Sequence, residues 1–207
     1  ATLQDLKIDA SQLGSHKHVI EATDATDGKA LVMDGCELYG YSVVHAAIYV
    51  AEANTLKVCE VKNCYFHDNM KSCIFFEGAL SNFLLIQSTF ANIATSSSEY
   101  MSVVDVRNAN YAIINHCTFY NCQAMNTDHA AIKLECDGLI ANSVIVAPES
   151  HGAYRAIHVK DGWNVEAKNC LSFNYTKDSG GFRSAVKKVD CLMNTDPLFV
   201  DAVNGNF

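Results

Sequence analysis

The chain has 207 residues, 49% of them hydrophobic and 18% charged. That is enough for one folded domain with a sizeable core, and it excludes a disordered chain. The formal net charge of −8 comes without a Lys/Arg cluster, which argues against nucleic acid as a partner. No apolar run reaches the ~18 residues of a membrane span.

Taken in chain order, one six-residue pattern returns: apolar, x, polar, then Cys or Ser, x, apolar. The first copy is placed at residues 8–13, around Ser11, and is followed by a short apolar strand at 19–22. The second copy is 33–38 around Cys36, with the alternating strand Ala47-Ile48-Tyr49-Val50 after it. Copies around Cys64, Ser88, Cys117 and Ser143 follow. Each is trailed by a strand of the same kind: Cys73-Ile74-Phe75-Phe76, Val103-Val104-Asp105-Val106, Ala131-Ile132-Lys133-Leu134 and Ala156-Ile157-His158-Val159. The copy around Cys170 is paired with Ala185-Val186-Lys187, and a last one surrounds Cys191.

Successive Cys/Ser positions recur at roughly 26 residues, each repeat holding at least two period-2 strands. That length is too short for a propeller blade. The chain lacks the spacing and the helical half of a leucine-rich repeat. A coil of a parallel β-helix fits, because stacking coils ~4.8 Å apart puts equivalent residues above one another. The expected fold is therefore an all-β, right-handed parallel β-helix of about seven or eight coils, with residues 1–207 one domain cut from a longer chain. The Cys/Ser column becomes an inward ladder, preceded by Asn63, Gln87, His116, Asn142 and Asn169 at tight bends. The chain has nine cysteines; Cys64 and Cys117 read as inward and inert, and the ladder is expected to carry free thiols, although Cys36 and Cys64 stand close enough in principle for a disulfide.

Repeats such as Lys62-Asn63-Cys64-Tyr65-Phe66 and Asn115-His116-Cys117-Thr118-Phe119, with the ending Asn194-Thr195-Asp196-Pro197-Leu198-Phe199-Val200-Asp201, resemble the pectate-lyase-like β-helix superfamily. More narrowly they are similar to its secreted bacterial members related to chondroitinase B-like and pectate lyases. The resemblance implies export to the periplasm or cell surface, and a polysaccharide as partner. The superfamily's familiar signatures are missing: neither Pro148 nor Pro197 has the flanking arginines of a pectate-lyase Arg-x-Pro-x-x-Arg element. Asn126-Thr127-Asp128 and His151-Gly152 resemble polygalacturonase fragments, but lack the paired aspartates that should lie between them.

Alternation sends every second residue of the trailing strands outward. One outward column reads Glu21, Tyr49, Phe75, Asp105, Lys133, His158 and Lys187, and its neighbour reads Thr23, Ala51, Glu77, Arg107, Glu135 and Lys160. Aromatic faces stack on sugar rings and charged groups bond hydroxyls or carboxylates, so Tyr49, Phe75, Glu135 and Lys160 are candidate substrate-binding residues. A lyase on a uronic-acid polymer needs a base, a neutralising cation and a proton donor. Lys133 or His158 could be the base, Arg107 the cation, and Asp105 completes the candidate catalytic set.

No dedicated metal ligand set or cofactor is expected. Calcium is the one candidate, held by Glu77, Asp105 and Glu135. His16-x-His18 reads as a surface pair, and Asp24, Asp27 and Asp34 lack calcium-loop spacing. The alternative to an enzyme is a monomeric, non-catalytic glycan-binding or spacer module. With Lys133 outward, Lys133→Ala is expected to leave the melting temperature nearly unchanged.

Overall fold

In the computed structural model the described residues are 1–13, 18–22, 28–40, 46–69, 72–94, 102–123, 130–148, 154–175, 177–178 and 180–199. They form a β-solenoid built from three parallel sheets, with no helix. Among them no helix is long and apolar enough to cross a membrane.

Sheet A stacks Thr2–Gln4, Ala30–Asp34, Thr55–Lys62, Ala79–Ile86, Ala109–Asn115, Gly138–Ala141, Val165–Lys168 and Val186–Val189. Sheet B stacks Lys7–Asp9, Glu37–Tyr39, Tyr65–Asn69, Thr89–Ala94, Thr118–Gln123, Val144–Val146, Leu171–Phe173 and Leu192–Met193. Sheet C has six strands: His18–Ala22, Ala46–Val50, Ser72–Phe76, Val104–Arg107, Ala130–Glu135 and Arg155–Val159. Among the described residues the coils complete in all three sheets thus number six, fewer than the seven or eight expected.

The corner from sheet A to sheet B explains the repeat. Asp5, Gly35, Asn63, Gln87, His116, Asn142, Asn169 and Asp190 all have φ between 48° and 64°. This left-handed conformation suits Gly and short polar side chains. The residue after each corner forms the ladder, and backbone bonds run up it. Tyr65 N donates to Cys36 O at 2.8 Å, Thr118 N to Ser88 O at 3.0 Å and Leu171 N to Ser143 O at 2.9 Å. Where serine replaces cysteine, its hydroxyl accepts the N–H of the preceding coil's ladder residue: Cys64 N to Ser88 Oγ and Cys117 N to Ser143 Oγ, each 3.2 Å.

Serine hydroxyls and cysteine thiols alike donate to the carbonyl two residues before, as Ser143 does to Ala141 O at 2.7 Å and Cys117 to Asn115 O at 3.4 Å. All nine cysteines are free. Burial pushes the Cys117 thiol up to about 12, so it does not supply a thiolate nucleophile at neutral pH. Side-chain amides tie the corners together, with Asn142 Nδ2 donating to Asn115 Oδ1 at 2.9 Å and Asn169 Nδ2 to Asn142 Oδ1 at 3.2 Å.

Two parts of the expected register are corrected. The first copy is not 8–13: Leu3 pairs with Met33 and Ile8 with Leu38. Leu6 therefore takes the ladder position and Ser11 lies outside the column. Asp5 supplies the left-handed corner there, and the bulky Leu6 had masked the pattern. Residues 185–187 do not continue sheet C. Val186 pairs with Val165 and Lys187 with Glu166, which puts them in sheet A.

The core runs up the axis as stacked apolar columns. Phe66, Phe90 and Phe119 are each 0% exposed. They occupy equivalent positions in adjoining coils, with ring centroids 4.9 and 4.6 Å apart and planes within 4° of parallel. The closing segment lies against sheet B, where Phe199 meets Tyr120 edge-on at 5.8 Å.

Candidate functional site

Sheet C aligns the candidate residues as the alternation requires. Glu21 pairs with Tyr49, Tyr49 with Phe75, Phe75 with Asp105, Asp105 with Lys133, and Lys133 with His158. The neighbouring column is also in register: Arg107 pairs with Glu135, Glu77 N bonds Val50 O and Lys160 N bonds Leu134 O. Thr23 lies outside the described residues, as do His16, Asp24, Asp27, residues 126–128 and residues 151–152.

Seven of the eight candidates meet in one bonded patch, and His158 stands beside Lys133 by strand register. The Arg107 guanidinium grips Asp105 with two bonds, Nε to Oδ1 at 3.2 Å and Nη2 to Oδ2 at 3.1 Å. It also reaches Glu77 at 3.2 Å and lies over the Phe75 ring, 4.6 Å from its centroid. Glu77 takes a bond from Tyr49 OH at 2.9 Å. Lys133 Nζ sits 3.0 Å from Glu135 and 3.8 Å from Asp105, and Lys160 Nζ holds the other Glu135 oxygen at 2.8 Å. Glu77, Asp105 and Glu135 are thus interleaved with Arg107, Lys133 and Lys160, and the six charges cancel.

Burial, not only sign, sets the chemistry. Asp105 is 0% exposed, His158 5% and Lys133 8%, although alternation points all three away from the core. The expectation that Lys133→Ala would leave stability unchanged assumed a solvated side chain, and the structure overturns that assumption. Burial pushes the Asp105 carboxyl above the ordinary range, against the opposing pull of Lys133 and Arg107. Glu135 also loses hydration, but the bonds from Lys160 and Lys133 outweigh this and hold it below the ordinary range.

His158 Nε2 accepts Arg183 Nη1 at 2.5 Å, so its lone pair is engaged. Arg183 continues to Val159 O at 3.0 Å and Asp161 at 3.0 Å. Arg183 is the residue that sequence reasoning missed. The column after His158 was assigned to Lys187, which instead bonds Glu166 at 2.6 Å on sheet A. The available signal was Phe182-Arg183, which repeats the apolar–polar alternation of Ile157-His158, and the bridge from Ile157 to Phe182 places it on the next coil. His18 also joins the patch, its ring stacked on Tyr49 at 4.1 Å.

Among the described residues no group of three or more His, Cys, Asp or Glu side chains is placed to hold a metal ion. The three carboxylates proposed for calcium face Arg107, Lys133 and Lys160 rather than a common centre.

Tyr49 offers a pH test of this packing. Burial, and then its bond to Glu77, raise its hydroxyl from 10.0 to about 12. The folded value lies above the unfolded one, so the contribution to stability is complete below pH 10 and disappears as pH rises through about 12. The difference in melting temperature between the wild type and Tyr49→Phe is expected to shrink across that window. A constant difference would show that the hydroxyl is neither buried nor held by Glu77 as described.

The profile of a family described as "right handed beta helix region" matches residues 2–179. No curated protein and no solved structure matches the chain.

Proposed function

This chain belongs to the right-handed β-helix family, and from that premise we propose that it binds a polysaccharide along the outer face of sheet C without performing chemistry on it. The observation that carries the proposal is the engagement of each candidate catalytic group by its neighbours. Lys133 donates to Glu135, Asp105 is gripped by Arg107, and His158 accepts from Arg183. The rim stays open: the Lys160 side chain is 62% exposed, and Glu77 and Arg107 keep part of their surface. Charges already fixed by one another present preorganised donors and acceptors at low ordering cost, which suits hydroxyl-rich ligands.

A second reading is β-elimination on a uronic-acid polymer, in the manner of the pectate-lyase-like enzymes. It is favoured by one feature, the placement of Lys133 and Arg107 on either side of Asp105. It requires Lys133 to give up its proton and Arg107 to exchange Glu77 for the substrate carboxylate. Export to the periplasm or cell surface and action as a monomer complete the proposal.

Affinity electrophoresis through gels containing polygalacturonate, alginate, chondroitin sulfate or a neutral glucan tests it, with ultraviolet absorbance of the same mixtures reporting unsaturated product. Retardation by at least one polymer, relieved in the Glu77→Gln/Lys160→Ala variant and accompanied by no absorbance, is expected. Rising absorbance abolished by Lys133→Ala would replace binding with the lyase reading. Free migration in all four gels with no absorbance would overturn both.

A further inference from the structure

The outer face of sheet A carries a hollow of about 310 Å³ that the sheet C proposal does not use. Tyr111, Asp137, Asn164, Glu166 and Lys187 are among its walls. The coils build it by register. Ala112 N bonds Asp137 O and Gly138 N bonds Asn164 O, so Tyr111, Asp137 and Asn164 stand at equivalent positions in three successive coils. A large ring is followed by two short polar side chains, which leaves the space. Gly138 keeps the backbones close, since a Cβ there would stand 2.7 Å from Ala112 O.

The polar walls are fixed. Asp137 Oδ1 accepts Asn164 N at 2.7 Å, and Glu166 holds Lys187 Nζ at 2.6 Å.

The rim carries the second observation. Among the described residues the exposed large hydrophobics include two aromatics, Tyr111 at 42% and Trp163 at 40%. Tyr111 lines the hollow, and Trp163 immediately precedes Asn164 in the turn from Lys160 to sheet A, which Gly162 makes with a φ of +96°. A flat ring kept in water on the wall of a polar hollow, with a second one residue from the wall's Asn164, marks a binding surface rather than a core.

A pyranose ring matches both parts. Its C–H face stacks on an aromatic ring, and its hydroxyls bond to carboxylate, amide and ammonium. The wall holds two carboxylates against one cation already paired with Glu166, a balance that disfavours an anionic sugar. We propose that this hollow is a binding subsite for a neutral saccharide, independent of the sheet C face.

The chain has one tryptophan, and it adjoins the wall residue Asn164, so intrinsic emission is read next to the hollow. Cellohexaose, mannohexaose and xylohexaose are titrated against the wild-type protein, Tyr111→Ala and Glu77→Gln. Both substituted side chains keep some solvent contact, and thermal melts confirm that the variants are folded. A saturable change in emission with at least one of the three is expected. It should be weakened about tenfold or more in Tyr111→Ala and unchanged in Glu77→Gln, which alters sheet C alone. No saturable change with any of the three would overturn the proposal, as would a change that survives Tyr111→Ala intact. Hexagalacturonate binding as strongly, with the same loss in Tyr111→Ala, would overturn the neutral-sugar assignment. A sheet C failure would appear in the gel experiment and not here.

Discussion

Phe90→Ala is expected to destabilise the protein by about 3–5 kcal/mol, the range for removing a large buried aromatic. Phe90 is the middle ring of the Phe66–Phe90–Phe119 stack, with a near-parallel neighbour on each side. Truncation removes its buried area, two ring contacts and the material that fills the axis at that level. A solenoid has no remote core to collapse into the void, because each coil touches only its neighbours. For a domain of this size each kcal/mol shifts the melting temperature by about 2–4 °C, so the loss is large on a thermal scan. The same truncation at the partly buried Tyr120, one coil on in sheet B, is expected to cost less. A Phe90→Ala melt within a few degrees of wild type would mean that the axial stack is not what holds adjacent coils together.

Asp105→Ala is the second large effect, expected to cost about 3–5 kcal/mol. Asp105 is fully buried between Arg107 and Lys133, and its removal leaves two cations facing each other without their shared anion. Burial keeps the Asp105 carboxyl raised despite both partners, so the attraction does not fully offset the lost hydration. An apolar replacement of the pair is therefore expected to recover most of the loss, and Asp105→Leu/Lys133→Met should melt closer to wild type than Asp105→Ala does. If the double variant melts lower than the single, the buried pair is a net source of stability. The same arithmetic bears on function: a loss of activity or binding in Lys133→Ala has meaning only beside its melting curve.

How much was legible in the chain follows from which interactions are local. The sheet A to sheet B corner is set by one residue's backbone preference and the small residue after it. Asn63-Cys64, His116-Cys117 and Asn142-Ser143 therefore announced themselves, and the whole solenoid followed from their spacing. The Glu21–Tyr49–Phe75–Asp105–Lys133–His158 column was equally readable, because a period of two residues fixes which side chains share a face. Reading failed where a local signal was weak. Leu6 filled a ladder position with the wrong size of side chain, and residues 185–187 imitated the Ala-Ile-x-Val strand while pairing with Val165–Lys168 in another sheet.

What the chain determined by itself, then, is the coil: its length, its corners, its inward ladder and the order of residues along each outward column. These depend on φ preferences and alternation, which act within a few residues. What only the tertiary structure decided is solvation and partnership. An outward side chain on a strand can be wet or closed off, and nothing within its own coil says which. Asp105, Lys133 and His158 are closed off, and are bound by Arg107, Glu135 and Arg183 from positions that stacking alone brings near. A lysine drawn from sequence as a candidate base becomes, in three dimensions, one member of a neutral lattice of charges, because energies that scale with distance and burial are set by coils about 26 residues apart.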